Sequence, residues 1–385
     1  MTALAAVRVD KVRVPFQRPF ATATGMWFAR EAWIIRLVAA DGRVGVGEAV
    51  LAPADGQAAS SVLDWLVEGL TAAEIAAWPE APRSLEEHGS AGRAVRAALD
   101  TAWLDLGVAV GGVSPWLSVT VAGPDVGVNA TLPLIAPSAL AEAARQSVAV
   151  GFRTLKLKAG AERETDVLVD RVRAVRSAVG PDVRLRLDVN GAWDLDTASD
   201  RLEAVERFGL EYVEQPLAGD DPEALAELRR RVDVPIAADE TVTSARVARA
   251  LLDAGAVDVL VVKPVRVGGP IAAAEIAVLA AARGVPVVIS TLFETGIGIA
   301  AGLAVAAALP PVAGGRVAVP PDHGLATSGL LEHDLLADGL VLDRGRLRAP
   351  AGPGAGRLGI RLDAEAVTRY SANRSQSASW EAWEA

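Results

Sequence analysis

Short apolar runs recur through the middle of the chain, and segments with helical spacing separate them. Six runs follow one another at intervals of 23 to 31 residues, the length of one strand plus one crossover helix. Because that interval repeats, we predict successive βα units with parallel strands. The runs begin at Arg153, Arg184, Glu211, Pro235, Asp258 and Pro286.

The number of strands decides between a closed barrel and an open sheet. An earlier run from Val128 and a later one near Arg316 bring the predicted count to about eight. The segments that begin at Glu164 and Asp221 carry apolar residues at helical spacing, and Asp is a residue type that caps helix N-termini. Eight parallel strands alternating with helices favour an α/β fold of the closed (β/α) barrel type, and an open doubly wound sheet is the alternative.

The N-terminal third has a different pattern. Apolar and polar residues alternate on both sides of the turn signal Asp41-Gly42, which predicts an antiparallel sheet. Helical spacing follows, so we predict an α+β domain ahead of the barrel. The predicted domains are residues 1–125 (the α+β domain), 126–325 (the barrel), 326–370 (a segment returning to the first domain) and 371–385 (a flexible tail).

Charge and composition exclude several classes of protein. The 385 residues include 48 acidic and 38 basic side chains, for a net charge of −10, which argues against a nucleic-acid partner. There is no Cys, so thiolate catalysis, disulfides, iron–sulfur clusters and zinc-thiolate sites are excluded. Three His residues are too few for a histidine-rich metal site.

Targeting and membrane segments are not expected. The first residues lack the basic and apolar regions of a signal peptide, so we expect a cytoplasmic protein. Residues 295–315 are uncharged, but they are mostly Gly and Ala and include Pro310-Pro311. We therefore predict a buried helix there and no membrane partner.

Lysine is rare: only 4 of the 38 basic residues are Lys, and the others are Arg. Arg stays protonated at working pH, so the few lysines are candidates for chemistry that Arg cannot perform. Lys156, Lys158 and Lys263 fall at the ends of predicted barrel strands, where barrel active sites lie. Because side chains alternate along a strand, Lys156 and Lys158 point to the same side.

Acidic residues end the predicted strands between those lysines. A lone Asp or Glu at such a place is usually a cap or a surface group, but carboxylates from three consecutive strands would converge on one point. Like charges that close need a counter-ion, and a hard divalent cation with oxygen ligands, best Mg²⁺, fits them. The strand-end residues are Asp188 and Asn190, Glu214, and then Asp239 and Glu240, with Asn190 alternatively a turn residue.

A cation flanked by lysines suits removal of the proton α to a carboxylate. The cation would stabilise the enediolate, and a Lys beside a metal and another ammonium group has its pKa lowered toward the operating pH. Arg could not act as that base.

In their order along the chain, these motifs resemble the muconate-lactonizing enzyme subgroup of the enolase superfamily. The resemblance implies a modified (β/α)7β TIM-like barrel with an N-terminal α+β capping domain. It also implies a homo-oligomer, and a capping-domain loop near residues 20–30 that contributes to specificity. The motifs are Lys156-x-Lys158, Asp188-x-Asn190, Glu214-Gln215-Pro216, Asp239-Glu240, Lys263-Pro264 and Ser290-x-x-x-Glu294-Thr295.

The same resemblance assigns roles to the strand-end residues. It implies that Asp188, Glu214 and Asp239 ligate Mg²⁺, with Mn²⁺ as the other possible ion. Lys158 and Lys263 would then lie on opposite faces of a small carboxylate substrate. Ser290 and Glu294 are candidates for a substrate-side or a structural role. Lys156, Asn190 and Glu240 are expected to contact the substrate or to support the ligands.

Departures from related branches narrow the expected reaction. The predicted seventh strand, VVIST, has no His base, unlike mandelate racemase-like members, and the eighth region has only Asp322 where dipeptide epimerases tend to have Asp-x-Asp. The phrases ISTLFETGIGIAAGLAVAAALP and HGLAT look most like the o-succinylbenzoate synthases of menaquinone biosynthesis. That likeness implies a lyase that dehydrates 2-succinyl-6-hydroxy-2,4-cyclohexadiene-1-carboxylate to o-succinylbenzoate, with Lys158 as the base and Lys263 as an electrostatic partner.

Other functions stay open at this point. An N-acylamino acid racemase, a dipeptide epimerase or a muconate-type cycloisomerase would use the same site. A Schiff-base aldolase would instead use Lys158 or Lys263 as its nucleophile. The last alternative is an inactive barrel that acts as a binding protein.

Overall fold

The computed structural model describes most of the chain. The described residues are 4–22, 25–52, 55–69, 83–107, 125–219, 221–313, 315–317, 320–349 and 357–372. Of the tail predicted from residue 371, residues 373–385 lie outside this set.

The N-terminal domain is an antiparallel sheet packed against helices. Its strands pair in sequence order, and the turn at Gly42 joins the second and third. The last strand and the long helix meet without space for side chains, because a Cβ on Gly47 would lie 1.8 Å from the carbonyl oxygen of Ala98. The predicted α+β domain is thus confirmed. Its elements are β1 (Leu4–Thr22), β2 (Gly25–Ala39), β3 (Val44–Ala49), α1 (Gly56–Gly69) and α2 (Gly89–Asp105).

Seven parallel strands form the barrel sheet, in the order in which they follow one another along the chain. The six predicted runs from Arg153 onward, and the earlier one from Val128, all contain strands, so the predicted barrel is confirmed. These strands are β5 (Ala130–Leu132), β6 (Thr154–Lys158), β7 (Arg184–Asp188), β8 (Leu210–Glu214), β9 (Ile236–Ala238), β10 (Val259–Val262) and β11 (Val287–Ile289); β4 (Val126–Gly127) precedes them outside this sheet.

Helices alternate with the strands and cover the outside of the barrel. Leu155 and Leu157 of β6 join the core made with Leu168 of the following helix, and this places the intervening lysine on the opposite, inner face. Asp221 caps its helix by accepting from the Glu223 N–H, as predicted. The helices are α3 (Pro137–Ala149), α4 (Thr165–Val179), α5 (Leu195–Glu206), α6 (Pro222–Arg231), α7 (Ala245–Asp253), α8 (Pro264–Val267), α9 (Pro270–Ala281) and α10 (Gly296–Ala307).

The element that closes the barrel lies later than predicted. His323 bridges in parallel to Val128, and Gly324 bridges to Ser290 of the β11 edge. The run near Arg316 was expected to supply this strand, but it leads into Pro320-Pro321. Proline has no N–H to donate to a ladder, and among the described residues of this run, 316–317 and 320–321, none pairs with a strand.

The C-terminal segment contacts the N-terminal domain. The Leu358 N–H donates to Asp105 Oδ1 at 3.0 Å, and Ser371 forms an antiparallel bridge with Val12. The predicted domain boundaries remain a prediction. The elements of this segment are β12 (Val341–Asp343), β13 (Arg346–Arg348) and α11 (Ala364–Tyr370).

The apolar stretch after residue 295 forms α10, a 12-residue buried helix, as predicted. Among the described helices, none has both the length and the apolar character that crossing a bilayer requires.

Candidate active site

Two lysines at the end of β6 meet the carboxylates of the next two strands. Lys156 Nζ lies 2.8 Å from Asp188 Oδ2 and 2.8 Å from Glu214 Oε1, so it bridges β7 and β8. Lys158 Nζ lies 2.7 Å from the same Asp188 oxygen and 3.0 Å from Asn190 Oδ1. The alternation expected for Lys-x-Lys therefore brings both ammonium groups to Asp188.

Another lysine–carboxylate contact lies at the ends of the next two strands of the barrel. Lys263, which follows β10, forms an ion pair with Asp239, which follows β9. Gln215 fixes this part of the site, because its Oε1 accepts from the Asp239 N–H at 3.0 Å and from the Thr241 N–H at 3.2 Å. The Glu-Gln-Pro motif thus contributes a side chain that orders the next strand end.

Asn190 joins the two halves of the cluster. Its Nδ2 donates to Glu240 Oε1 at 2.9 Å, and its Oδ1 accepts from Lys158. Its backbone has a positive φ of 51°, and it is followed by Gly191 at 71°, a conformation that Asn and Gly tolerate best. Asn190 therefore has the backbone conformation of a turn residue and also lies in this cluster; its role toward a substrate stays a prediction.

Burial and mutual charge shift the pKa values of these groups. Burial opposes ionisation of Asp188, but Lys156 and Lys158 together lower the pKa of that carboxyl. For Glu214, burial and the charges of Asp188 and Asp239 outweigh Lys156, so its pKa is raised. Burial alone would lower the pKa of Lys156, yet the surrounding carboxylates raise it well above its usual value. The surrounding carboxylates therefore favour the charged form of Lys156.

The three carboxylates have the chemistry of a site for a hard cation. Asp188, Glu214 and Asp239 are each 1% exposed, and Asp239 Oδ1 is buried with no hydrogen-bond partner among the described residues. With the lysines paired to them, no group of three or more acidic, His or Cys side chains in the described ranges is arranged to hold a metal ion. Buried carboxylate oxygens are the donors that Mg²⁺ prefers, so the donor set fits such an ion.

These residues open onto a cavity of about 190 Å³. Seven of the ten predicted site residues line it: Lys156, Lys158, Asp188, Asn190, Glu240, Lys263 and Ser290. Glu214 and Asp239 lie against the lining lysines. Ser290 is buried, with its Oγ close to Gly324, where a Cβ would come within 2.6 Å of it.

Glu294 lies apart from this cluster. Its carboxylate accepts from the Leu292 N–H of its own loop. Burial and the nearby charge of Glu48 raise the pKa of Glu294 to about 7. The structure thus brings it to the contact between the barrel and the N-terminal domain.

Two aromatic rings of the cavity wall are not among the predicted site residues, although one of them, Trp27, falls within the predicted specificity loop near residues 20–30. Trp27 of β2 and Phe293 of the loop after β11 pack edge to face, with ring centroids 5.3 Å apart, and both line the cavity. Phe293 has a positive φ of 60°. The only sequence signal was its position beside Glu294 in a strand-end motif, because an aromatic ring has no feature that separates a pocket wall from a core. Other lining residues that were missed are Thr131, Arg266, Thr291 and Thr327.

Known proteins resemble this chain along most of its length. The family model described as "Enolase C-terminal domain-like" matches residues 139–366. An o-succinylbenzoate synthase of Thermobifida fusca is 47% identical over 56% of this chain and 64% of its own length, less than two thirds of that protein. An N-succinylamino acid racemase of Amycolatopsis sp is 33% identical over 92% of this chain and 94% of its own.

A solved structure shares the fold. The dipeptide epimerase from Enterococcus faecalis V583, complexed with Mg and the dipeptide L-Leu-L-Tyr, superposes with a TM-score of 0.77 at 26% identity. The match covers 94% of this chain and 99% of that one.

Proposed function

The chain belongs to the enolase C-terminal domain-like family, and from that premise we propose that it dehydrates 2-succinyl-6-hydroxy-2,4-cyclohexadiene-1-carboxylate to o-succinylbenzoate. The membership confirms the superfamily resemblance inferred from the sequence motifs. The proposal rests on one observation above all: a single cavity is lined by three buried lysines that contact carboxylates at neighbouring strand ends. The 47% identity to a synthase of that reaction supports the choice of substrate.

In the proposed reaction Lys158, as the neutral amine, removes the proton from the ring carbon that bears the carboxylate. The electron pair moves into the carboxylate, and the positive charge of Lys263 stabilises the negative charge that develops there. The C–O bond to the 6-hydroxyl group then breaks, and that oxygen takes the proton from the Lys158 ammonium. One water is released and the ring becomes aromatic.

Asp188, Glu214 and Asp239 are the residues that would hold Mg²⁺, or Mn²⁺. The ion supplies, when bound, positive charge for the substrate carboxylate as electron density accumulates on it. Lys156, which bridges Asp188 and Glu214, orients two of the three carboxylates.

Racemisation of N-acylamino acids is the second candidate. Lys158 and Lys263 line the same cavity, as two bases that remove and return a proton on opposite faces would require. The racemase relative, 33% identical over nearly the full length of both chains, favours this candidate over other carboxylate reactions.

Lys158→Ala tests the base, and Lys11→Ala is its matched control. Lys11 is the fourth lysine of the chain and forms an ion pair with Asp64 in the N-terminal domain, at 3.0 Å. We expect the Lys158 variant to lose about 10³-fold or more in kcat and the Lys11 variant to keep wild-type turnover. The measurement is the rate of o-succinylbenzoate formation with Mg²⁺ present. Substantial turnover by the Lys158 variant would refute its role as base.

Two further measurements separate the alternatives. Deuterium incorporation from heavy water into N-succinylamino acids, compared with cyclohexadiene turnover, shows whether racemisation or dehydration dominates. Borohydride trapping of a substrate adduct and activity in EDTA would indicate a Schiff-base aldolase. Absence of all these activities would leave a binding protein and contradict the proposal.

A further inference from the structure

The loop that follows Lys158 (the β6–α4 loop, residues 159–164) is fixed by a buried ion pair outside the cavity. Arg171 of α4 donates from Nη2 to the carbonyl oxygen of Lys158 at 2.9 Å, and its Nη1 pairs with Glu162. Glu162 in turn accepts from the Gly160 N–H at 2.7 Å. One guanidinium thus connects the backbone of Lys158 to the loop just beyond it.

The same loop has no room to shift toward β7. Gly160 has a φ of +98°, and a Cβ there would lie 2.6 Å from the Val189 carbonyl oxygen and 2.8 Å from Ala192 Cβ. The parallel ladder between β6 and β7 also ends here, with the Ala159 N–H donating to the Asp188 carbonyl at 2.8 Å. Lys158 is the last residue of β6 in this ladder, and its carbonyl oxygen accepts from the side chain of Arg171.

We propose that Arg171 and Glu162 are positioning residues for Lys158. The lysine is held at two ends: its ammonium group contacts Asp188 and Asn190 in the cavity, and its carbonyl is held by Arg171 behind the strand. The planar guanidinium can serve the carbonyl and the carboxylate together, which the single ammonium point of a lysine cannot do. The inference rests on the proposed function, because Lys158 acts as the base in that reaction.

Arg201 provides the matched control. It is also buried, at 7% exposure, and it donates to the carbonyls of Glu162 and Arg163 in the same loop, at 2.9 and 3.0 Å. Among its described hydrogen bonds none goes to Lys158. Loss of Arg201 therefore weakens the loop without releasing the lysine.

The kinetic test compares Arg171→Met, Arg171→Lys, Glu162→Gln and Arg201→Met. We expect Arg171→Met to lower kcat about 100-fold with KM nearly unchanged. The isotope effect of substrate deuterated at the abstracted position should rise, because proton removal becomes the slow step. Arg171→Lys should recover part of the lost kcat. The kcat of Glu162→Gln should lie between those of Arg171→Met and the wild type. Arg201→Met should lower the melting temperature and leave kcat unchanged. Equal losses of kcat in Arg171→Met and Arg201→Met would overturn the proposal.

A second measurement is independent of the reaction. Acylation of Lys158 by acetic anhydride, located by peptide mass spectrometry with Lys156 as the internal reference, reports where the amine points. The ratio of Lys158 to Lys156 acylation should differ from the wild-type ratio in Arg171→Lys and Glu162→Gln and equal it in Arg201→Met. The wild-type ratio in all three variants would overturn the positioning role. A wild-type chain that does not dehydrate the cyclohexadiene would contradict the proposed function, while the labelling ratio would still decide this inference.

Discussion

Two buried carboxyl groups, Glu48 and Glu294, face one another where the N-terminal domain meets the barrel. Both are at most 3% exposed. Glu48 is bound by the N–H groups of Thr295 and Gly298, at 3.0 Å each. Arg30 donates to the Leu292 carbonyl of the same loop at 3.2 Å. Burial and Glu48 raise the pKa of Glu294 to about 7, above its ordinary 4.5.

Stability should therefore decrease as Glu294 ionises. The folded state binds the Glu294 proton more tightly than the unfolded chain does. The contribution of protonated Glu294 to the free energy of unfolding is therefore full below about pH 4.5 and is lost as the pH rises through about 7. A change from pH 5 to pH 8 should remove about 2–3 kcal/mol of unfolding free energy. Glu294→Gln should remove the part of this dependence that Glu294 contributes, whereas Asp105, whose pKa burial also raises to about 7, should keep its own contribution.

Urea unfolding of both chains at the two pH values measures the effect. Glu206→Gln, at an exposed position on α5, is the control and should keep the wild-type profile. A Glu294→Gln variant whose stability falls with pH as steeply as the wild type would contradict the assignment.

Single residues also show how far the sequence predicts the site. The lysines and carboxylates could be found because strand periodicity and strand ends fix where such side chains point. Phe293 could not, because its backbone has a positive φ that only tertiary packing imposes. Trp27 falls within the predicted specificity loop near residues 20–30, but no local pattern singled out its ring as part of the cavity wall. Glu294 was placed in the right motif, but its orientation toward Glu48 depends on a contact 246 positions away in the chain.

At the scale of elements, α10 begins where three parts of the chain meet. Its N-cap, Thr295, accepts from the Ile297 N–H, and the Thr295 hydroxyl donates to Glu48 Oε2 at 2.8 Å. Asp334 of the C-terminal segment accepts from the Gly296 N–H at 2.8 Å. Carboxylates near a helix N-terminus are favoured by its exposed N–H groups. The start of α10 thus connects the barrel to both flanking segments.

Thr295→Val should cost more than an ordinary lost cap. The variant loses the cap, worth about 1 kcal/mol, and removes the hydroxyl donor to Glu48, which keeps its two backbone N–H donors; losing that bond to a charged group adds about 1.5–3 kcal/mol. Ser244→Ala removes the equivalent N-cap of α7, which accepts from the Val247 N–H, and should cost about 1 kcal/mol. Chemical denaturation of both variants gives the difference. Equal costs would show that Glu48 gains nothing from the Thr295 hydroxyl.

Element types were easier to predict than element boundaries. The βα interval and the Asp221 cap are local signals, and both were confirmed. The closing element at His323 and Gly324 was placed too early, because the apolar run near Arg316 looks like a strand until the missing N–H groups of Pro320 and Pro321 are considered. Barrel closure also depends on which residues reach the β5 and β11 edges, and no local pattern encodes that.

At the scale of the whole molecule, the hydrophobic core of the N-terminal domain includes residues of the other two predicted domains. The apolar face of the N-terminal sheet packs with Val265 and Ile297 of the barrel helices and with Leu335 and Leu358 of the C-terminal segment. The sequence predicted that this segment returns, but it could not show which residues share the core. The core of the N-terminal domain therefore includes barrel residues, and a ligand bound in the barrel should stabilise both domains.

Mg²⁺ should stabilise the entire chain through the barrel carboxylates. Asp188, Glu214 and Asp239 are buried together, and ion binding adds RT ln(1 + [L]/Kd) to the unfolding free energy, about 2.7 kcal/mol at 100-fold excess over Kd. Melting temperature should thus rise with the logarithm of Mg²⁺ concentration above the value in EDTA.

Asp239→Asn tests the same effect, because Oδ1 of this carboxylate has no hydrogen-bond partner within the described part of the chain. The variant should lose the Mg²⁺ dependence of the melting temperature. Asp253→Asn, half exposed at 55% and paired with Arg283, should keep it. If wild type and Asp239→Asn respond alike to Mg²⁺, the ion binds elsewhere. The barrel core and the core of the N-terminal domain both include residues of α10, so Mg²⁺ should shift a single unfolding transition. A shift confined to part of the transition would mean that the domains unfold separately.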